Sequence, residues 1–223
     1  MEEITKNIIT PETYLARSPL YRVHEAAGAH FEACASAAQV VSYGDQSEPL
    51  TALIDLSVQH RFGIRGANAI AALSAAGLSV PEKPNQCLNS ANGETVLRLG
   101  KTEFWVLGAM ESGTCSADSS AFADCYPVYC QDSHACLLLS GEHLPDIMAK
   151  LCGVDLSESA FPKGSIAQTS VARINAIISH LPDKEGTHFV ILCDSAAAEY
   201  LWACLLDAMD EFGGKAAGLN YLF

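Results

Sequence analysis

One order of sequence features occurs twice along this chain, and it constrains the fold more than any other feature. In each copy a β-rich segment leads to a glycine that opens a helical segment, and short strand-like segments follow. The helix-opening glycines are Gly66 and Gly141, and aromatic-led strands lie at residues 104–107 and 189–192. Neither copy has enough elements to cover both faces of a sheet, so the two are expected to pack together as one α+β globule.

The repeat divides the chain into three parts. Residues 1–17 are expected to form a flexible polar arm, residues 18–111 the first half and residues 112–223 the second half. Turns at Asn92-Gly93 and Gly100-Lys101 separate strands of the first half. The predicted strands are residues 86–89, 94–99, 103–107, 134–140, 166–173, 175–180 and 188–193.

Three segments have the pattern of helices with one apolar face. In residues 66–78, Ala69, Ile70 and Leu73 fall on one face and Gly77 ends the helix. Residues 142–154 form the equivalent segment after Gly141. The strongest helix follows Asp194 and ends at Gly213-Gly214. Its apolar stripe is Ala198, Leu201, Trp202, Leu205 and Met209.

The charge balance excludes several classes of partner. The 223 residues include 13 Lys and Arg against 26 Asp and Glu, which gives a net charge of -13. Such a chain repels nucleic acid phosphates and anionic lipids. The N-terminal segment lacks the basic and apolar regions of a signal peptide, and no apolar run is long enough to span a membrane. We therefore expect a cytoplasmic protein that binds neither nucleic acid nor membranes.

The nine cysteines lie mostly among apolar neighbours, as expected for reduced thiols in the cytoplasm. The densest group, close to His134, is Cys115, Cys125, Cys130 and Cys136. Structural zinc sites usually contain paired short spacings such as C-x2-C, which this group lacks. The sequence therefore favours plain thiols and no metal site.

The sequence contains no convincing catalytic motif. Ser57 lies near Asp55 and His60, but the members of a triad normally come from separate elements, so Asp55-Leu56-Ser57 is interpreted as a cap or turn. Phosphate-binding, dinucleotide-binding and nucleophile-elbow motifs are absent. The candidate general bases are Glu94, Glu103, Asp132 and Asp194. The residues interpreted as structural are Trp105, Trp202 and, in strand-like segments, His24, His134 and His188.

A set of short motifs runs from residue 18 to about residue 219. It comprises Ser18-Pro19-Leu20-Tyr21, His24, Gly28-Ala29-His30-Phe31, Tyr43, Glu48, Asp55-Leu56-Ser57, Gly66, Gly141, Leu201-Trp202 and residues 213–218. In order and spacing these motifs resemble the glycine cleavage T-protein (aminomethyltransferase) family and its folate-dependent relatives. The resemblance implies a duplicated, strand-swapped folate-binding fold.

The resemblance also implies a folate pocket, and this chain departs from the family pattern there. The family's acidic catalyst follows a Gly-Gly-Ile-type turn, where this chain has Asn92-Gly93-Glu94. The family's pterin-anchoring glutamate corresponds to Glu185, one position out of register. Tyr43, Glu94 and Glu185 are therefore the expected cofactor-binding residues, and no catalytic residue is assigned. The chain stops at Phe223, before the family's C-terminal barrel domain.

This short form resembles the gamma subunit of heterotetrameric sarcosine oxidase, a folate-fold homologue that sits beside flavin-bearing subunits without holding a cofactor itself. The resemblance implies an accessory subunit without activity of its own, in one-carbon and N-methyl amino acid metabolism. Its partners would be flavoenzyme subunits or a second copy, and the apolar tail, residues 221–223, would dock on its own core or on a partner. The alternative is a stand-alone, tetrahydrofolate-binding enzyme of the aminomethyltransferase type.

Overall fold

The computed structural model describes residues 9–44, 49–182 and 186–223. These residues form a mixed α and β structure with two large sheets and one hairpin. The helices are α1 (Tyr21–Ala26), α2 (Ala69–Ala75), α3 (Cys130–Ser133), α4 (Leu144–Ala149) and α5 (Ala198–Asp210). The strands are β1 (His30–Cys34), β2 (Ala37–Ser42), β3 (Thr51–Asp55), β4 (Arg61–Arg65), β5 (Gln86–Asn89), β6 (Thr95–Arg98), β7 (Glu103–Leu107), β8 (Tyr126–Val128), β9 (His134–Gly141), β10 (Ile166–Val171), β11 (Ile174–His180), β12 (His188–Asp194) and β13 (Lys215–Ala217).

The two large sheets share a common strand order. The first has the order β5-β6-β7-β4-β8, and the second has the order β10-β11-β12-β9-β3-β13. In each sheet, a strand that leads into a helix (β4 into α2, β9 into α4) pairs with the last strand of a three-strand meander. The fifth position of each sheet is filled from elsewhere in the chain, since β8 pairs with β4 and β3 pairs with β9.

The strands and helices predicted from the repeat are present. The helices after the two glycines are shorter than predicted, since α2 covers Ala69–Ala75 and α4 covers Leu144–Ala149. Gly66 and Gly141 have positive φ angles of 152° and 125°, a conformation that glycine adopts without steric cost. One position on α2 was predicted wrongly. Ala69 and Leu73 are buried, but Ile70 is 41% exposed. Because α2 is short, it buries only a narrow stripe of side chains, at positions four residues apart such as Ala69 and Leu73. Ile70 lies beside that stripe.

Apolar side chains of the two large sheets meet between them. This central cluster includes Leu97 and Trp105 from the first sheet and Leu138 and Val190 from the second. Neighbouring residues of β9 point to the opposite face, where they pack with α4 and α5. A third cluster packs α2 against the first sheet. In the part of the chain that the structure describes, no helix is long and apolar enough to cross a membrane.

The C-terminal tail lies on the chain's own core, one of the two predicted alternatives. β13 pairs in parallel with β3, and the single helical turn Leu219–Leu222 packs on β2. Tyr221 and Leu222 contact the central cluster, while Phe223 is 66% exposed. At Gly218, a Cβ atom would lie 2.0 Å from the carbonyl carbon of Val41. The tail and β2 are therefore in direct backbone contact at this glycine.

Candidate functional site

A buried hydrogen-bond network is centred on Asp55, at the end of β3. Asp55 Oδ2 accepts hydrogen bonds from His24 Nε2 at 2.9 Å and from Ser18 Oγ, and Oδ1 accepts from the Ser57 amide at 2.9 Å. Tyr43 OH contacts His24 Nδ1 at 2.6 Å. All five residues are buried. The network therefore joins α1 to the ends of β2 and β3 out of contact with water.

The Asp55 carboxylate fixes the direction of the hydrogen bonds around it. Because a carboxylate only accepts hydrogen bonds, His24 donates from Nε2 to Asp55, and its Nδ1 contacts Tyr43 OH. Burial acts to raise the pKa of Asp55, but the hydrogen bonds and charge of His24 and the hydrogen bonds of Ser18 and Ser57 outweigh it and lower the pKa. Burial and the Asp55 charge raise the pKa of Tyr43, so its phenol stays protonated. The side-chain polar atoms of these residues have hydrogen-bond partners within the protein, which indicates a structural role.

Ser57, Asp55 and His60 do not form a triad. The bond from the Ser57 amide to Asp55 makes the predicted turn. Ser57 Oγ accepts a hydrogen bond from the Cys136 amide at 3.0 Å, and His60 Nδ1 accepts from the Cys115 amide at 3.4 Å. The interpretation of Asp55-Leu56-Ser57 as a turn is confirmed.

A narrow cavity of about 40 Å³ lies between the two large sheets. Since one enclosed water needs about 10–15 Å³, this cavity holds about three waters. Among the residues that the structure describes, no carboxylate lines it. The lining residues are Leu56, Gln59, His60, Arg61, Asn89, Gly93, Thr95, Leu107, Gly108, Met110, Cys136, Leu181 and Val190.

Arg61 brings a positive charge to this cavity, although its side chain is only 2% exposed. Its guanidinium donates to main-chain carbonyl oxygens, at 2.9 Å to Ser57, 3.2 Å to Cys130 and 2.8 Å to Gln131. It makes no salt bridge within the described ranges of the chain. Carbonyl dipoles therefore satisfy this buried cation, and the bonds fix the segment around α3 to the core.

The structure does not bring the predicted folate residues into one cavity. Tyr43 lines a separate pocket beside the tail residues Ala217 and Tyr221. Glu94 is buried, and its carboxylate accepts hydrogen bonds from the Ser116 amide and hydroxyl and from Asn92 Nδ2. Glu185 lies outside the described residues. The binding of folate by these residues stays a prediction.

The contacts of Glu94 predict a structural effect of its substitution. Replacing Glu94 with glutamine is expected to lower the free energy of unfolding by about 1–3 kcal/mol, because the new amide group places a donor against the Ser116 and Asn92 donors. Urea denaturation measures this difference. The exposed Glu82→Gln variant serves as a control and is expected to change stability by less than about 0.5 kcal/mol. Equal stabilities of the two variants would contradict the anchoring role of Glu94.

The other candidate bases have structural partners or lie at the surface. Glu103 Oε1 accepts from Trp105 Nε1 at 3.2 Å, and Asp194 Oδ1 accepts from the Ala196 amide at 2.8 Å, in the turn that precedes α5. Asp132 lies on a wider surface cleft.

The structural histidines and tryptophans differ from prediction at one position. His24 was predicted wrongly to lie in a strand-like segment, because α1 is only six residues long and too short for a helical pattern. His134 and His188 begin β9 and β12 as predicted. Trp105 and Trp202 are buried in the core as predicted.

All nine cysteines are free thiols. Burial raises the pKa of Cys130 to about 12 and that of Cys136 to about 11, so both are protonated at neutral pH. Across residues 9–44, 49–182 and 186–223, no cluster of three or more His, Cys, Asp or Glu side chains could hold a metal ion.

Comparisons with known proteins agree on one family. The sarcosine oxidase subunit gamma of Corynebacterium sp. (strain P-1) is 28% identical over 170 residues, which cover 73% of this chain and 82% of the relative. The subunit gamma of an Arthrobacter sp. is 26% identical over 212 residues, which cover 94% and 97%.

Solved structures show the same fold. The heterotetrameric sarcosine oxidase from Corynebacterium sp. U-96 in complex with pyrrole 2-carboxylate contains a chain with a TM-score of 0.66 and 22% identity, over 90% of this chain and 98% of that one. The glycine cleavage system aminomethyltransferase T from Bartonella henselae has a TM-score of 0.61 and 20% identity, over 93% of this chain and 60% of that one. The GCVT N-terminal domain model matches residues 89–222, more than half of the chain. The chain belongs to the GCVT N-terminal domain family.

Proposed function

We propose that this chain is an accessory subunit of the sarcosine oxidase gamma type, without catalytic activity of its own. It would assemble with flavin-bearing subunits of an enzyme that oxidises N-methyl amino acids. The observation that carries the proposal is the full-length match to the Arthrobacter subunit gamma, over 94% of this chain and 97% of the relative. By contrast, the chain spans 60% of the aminomethyltransferase T structure.

The interior of the protein supports an accessory role. The cavity between the sheets has room for about three waters, and a two-ring pterin is several times larger than a water molecule. The cavity is therefore small for a pterin ring system. Glu94, the residue expected to replace the family's catalytic acid, has its carboxylate bound to Ser116.

We also propose that the two sheets descend from a duplication, with residues 18–111 and 112–223 as the two halves behind the arm of residues 1–17. The common strand order of the sheets supports this, as does the helix that follows β4 and β9. β3 belongs to the first half and directly precedes β4, but it pairs in the second sheet. β8 belongs to the second half and precedes β9, but it pairs in the first sheet. This arrangement favours a strand-swapped pair over two separate domains.

Assembly with partner subunits tests the proposal. The chain is co-expressed with the other subunits of the sarcosine oxidase complex from the same source, and the purified assembly is weighed by native mass spectrometry. We expect one copy of the chain per complex. We also expect that the complex oxidises sarcosine and that the isolated chain does not. Sarcosine demethylation by the isolated chain at enzyme-like rates would refute the accessory role.

The rival function is a stand-alone enzyme that binds tetrahydrofolate. Because the cavity is narrow, we expect no saturable change in the fluorescence of Trp105 and Trp202 when tetrahydrofolate is added to the isolated chain up to millimolar concentration. Saturable binding in the micromolar range that is weakened by Glu185→Gln would favour the rival instead. Glu82→Gln is the control for a general effect of charge.

A further inference from the structure

Two tyrosines stand out on the surface of the first sheet. Tyr126 on β8 and Tyr129, directly after β8, are 72% and 73% exposed. We call Tyr126, Pro127 and Tyr129 the tyrosine patch. β8 is the outer strand of its sheet and pairs only with β4 among the described strands. Large aromatic side chains left in water on an outer strand indicate a contact surface, because tyrosine is enriched at the centres of protein interfaces.

The tyrosine patch is held rigidly from the inside. The buried Arg61 donates to the carbonyl oxygens of Cys130 and Gln131, and its own amide donates to Gln131 Oε1 at 2.7 Å. Ser133 Oγ donates to the carbonyl oxygen of Tyr129 at 2.8 Å. A surface that is already ordered loses less conformational entropy when a partner binds. The buried arginine thus preorganises an exposed segment.

The surroundings of the patch are acidic. The sequence contains neither lysine nor arginine from residue 102 to residue 149. Asp118, Asp124 and Asp132 are exposed, and Asp124 and Asp132 lie within three residues of a tyrosine of the patch along the chain. Arg65 on β4 lies opposite Tyr126 on β8. On its other side it lies opposite Glu103 on β7, which carries the opposite charge. The patch therefore complements a surface that carries positive charge, and tyrosine rings also attract arginine and lysine side chains through cation–π contacts.

Two other modes of contact are disfavoured. A second copy of the chain carries the same net charge of -13, so two acidic patches repel each other. Addition of a partner strand to β8 is hindered because the strand has only three residues and one is Pro127, which lacks an amide hydrogen. Contact through side chains remains.

We propose that the tyrosine patch is the surface on which an arginine- or lysine-bearing face of a partner subunit docks. This inference rests on the proposed accessory function. Tyr126 and Tyr129 are the anchors, and Asp124 and Asp132 supply the charge that orients the partner. The hydrogen bonds around α3 hold the backbone at Tyr129 and Gln131, and the pairing of β8 with β4 holds the backbone at Tyr126.

The test measures binding of this chain to the purified partner subunits from the same source by isothermal titration. We expect Tyr126→Ala combined with Tyr129→Ala to weaken binding at least about 30-fold. Asp124→Lys combined with Asp132→Lys should also weaken binding. This loss of affinity should be larger at low salt than at high salt. The control is Tyr200→Ala, which removes a tyrosine that is 55% exposed on α5. Circular dichroism and the melting temperature of each variant check that it is folded.

The outcomes distinguish a failure of the patch inference from a failure of the proposed function. If the unaltered chain does not bind the partner subunits, the proposed function fails and the patch with it. If the unaltered chain binds and the double tyrosine variant binds equally well, the function stands and the patch inference is wrong. Sedimentation of the chain alone tests whether a second copy of the chain binds the tyrosine patch. A dimer that the double tyrosine variant abolishes would also overturn the inference.

Discussion

Replacing Gly218 with alanine is expected to lower the free energy of unfolding by about 3 kcal/mol or more. The added Cβ would lie 2.0 Å from the carbonyl carbon of Val41 and 2.3 Å from the amide nitrogen of Ser42, and main-chain atoms of a paired strand cannot move aside cheaply. The tail would have to lift from β2, which would expose the apolar contacts of Tyr221 and Leu222 with the central cluster. Thermal and urea unfolding measure the loss, and hydrogen exchange would show it first in β2 and β13.

A second glycine provides a matched control. Gly153 has no other atom within 4 Å of an added Cβ, and its φ is not in the left-handed region. Gly153→Ala is therefore expected to leave stability unchanged or to raise it by up to about 1 kcal/mol through the unfolded state. A Gly218→Ala protein as stable as Gly153→Ala would show that the tail is not docked as described.

Replacing Asp55 with asparagine is expected to cost about 3–5 kcal/mol, as for other buried charged networks that lose one partner. In either orientation the new amide nitrogen would face a donor. It would face His24 Nε2 and Ser18 Oγ at the Oδ2 position, or the Ser57 amide at the Oδ1 position. A shift of the His24 ring would also disturb its contact with Tyr43 OH. Trp202 of α5 packs edge-on against the His24 ring, with centroids 5.0 Å apart, so the loss would spread to α5.

The same substitution changes the response to pH. The pKa of Asp55 is lower in the folded protein than in the unfolded chain, where it is about 3.9. Its contribution to stability is therefore present above pH 4 and is lost as the pH falls below that value. Urea midpoints measured between pH 7 and pH 2.5 should fall more steeply for the native protein than for Asp55→Asn.

Asp155 offers the control for this experiment. Its Oδ1 accepts from the Ser157 amide at 2.9 Å, which copies the local turn of Asp55 and Ser57, but Asp155 is exposed. Asp155→Asn should leave the urea midpoint at pH 7 nearly unchanged. Similar losses in the two variants would assign the effect to the turn and not to the buried network.

Several helices and strands could be predicted from the sequence because their patterns are local. The apolar stripe of α5 and the short strands β5 to β7, separated by turn residues, are determined by neighbours within a few positions. The short strand β8 was not predicted, because it has only three residues and one of them is Pro127. The exposure of Tyr126 and Tyr129 at the edge of the first sheet therefore needed the structure.

The buried sites needed the structure, because their members are distant in sequence. Ser18, His24, Tyr43 and Asp55 converge from separate elements, and no periodicity connects them. Sequence motifs singled out most of these residues through family resemblance, but not their contacts. Arg61 gave no signal at all, since a lone arginine ahead of an apolar strand is usually exposed.

The position of β3 also governs how the chain is made. All five of its residues are buried, and in the described structure it pairs with β9 and β13, at Thr51 with Gly141 and at Lys215 with Ala52. A ribosome therefore releases this apolar strand long before either neighbour has been synthesised. Pairings so distant in sequence fold slowly and leave a strand open to aggregation in the meantime. Folding of this protein should be completed after translation, with β3 as the segment that a chaperone protects.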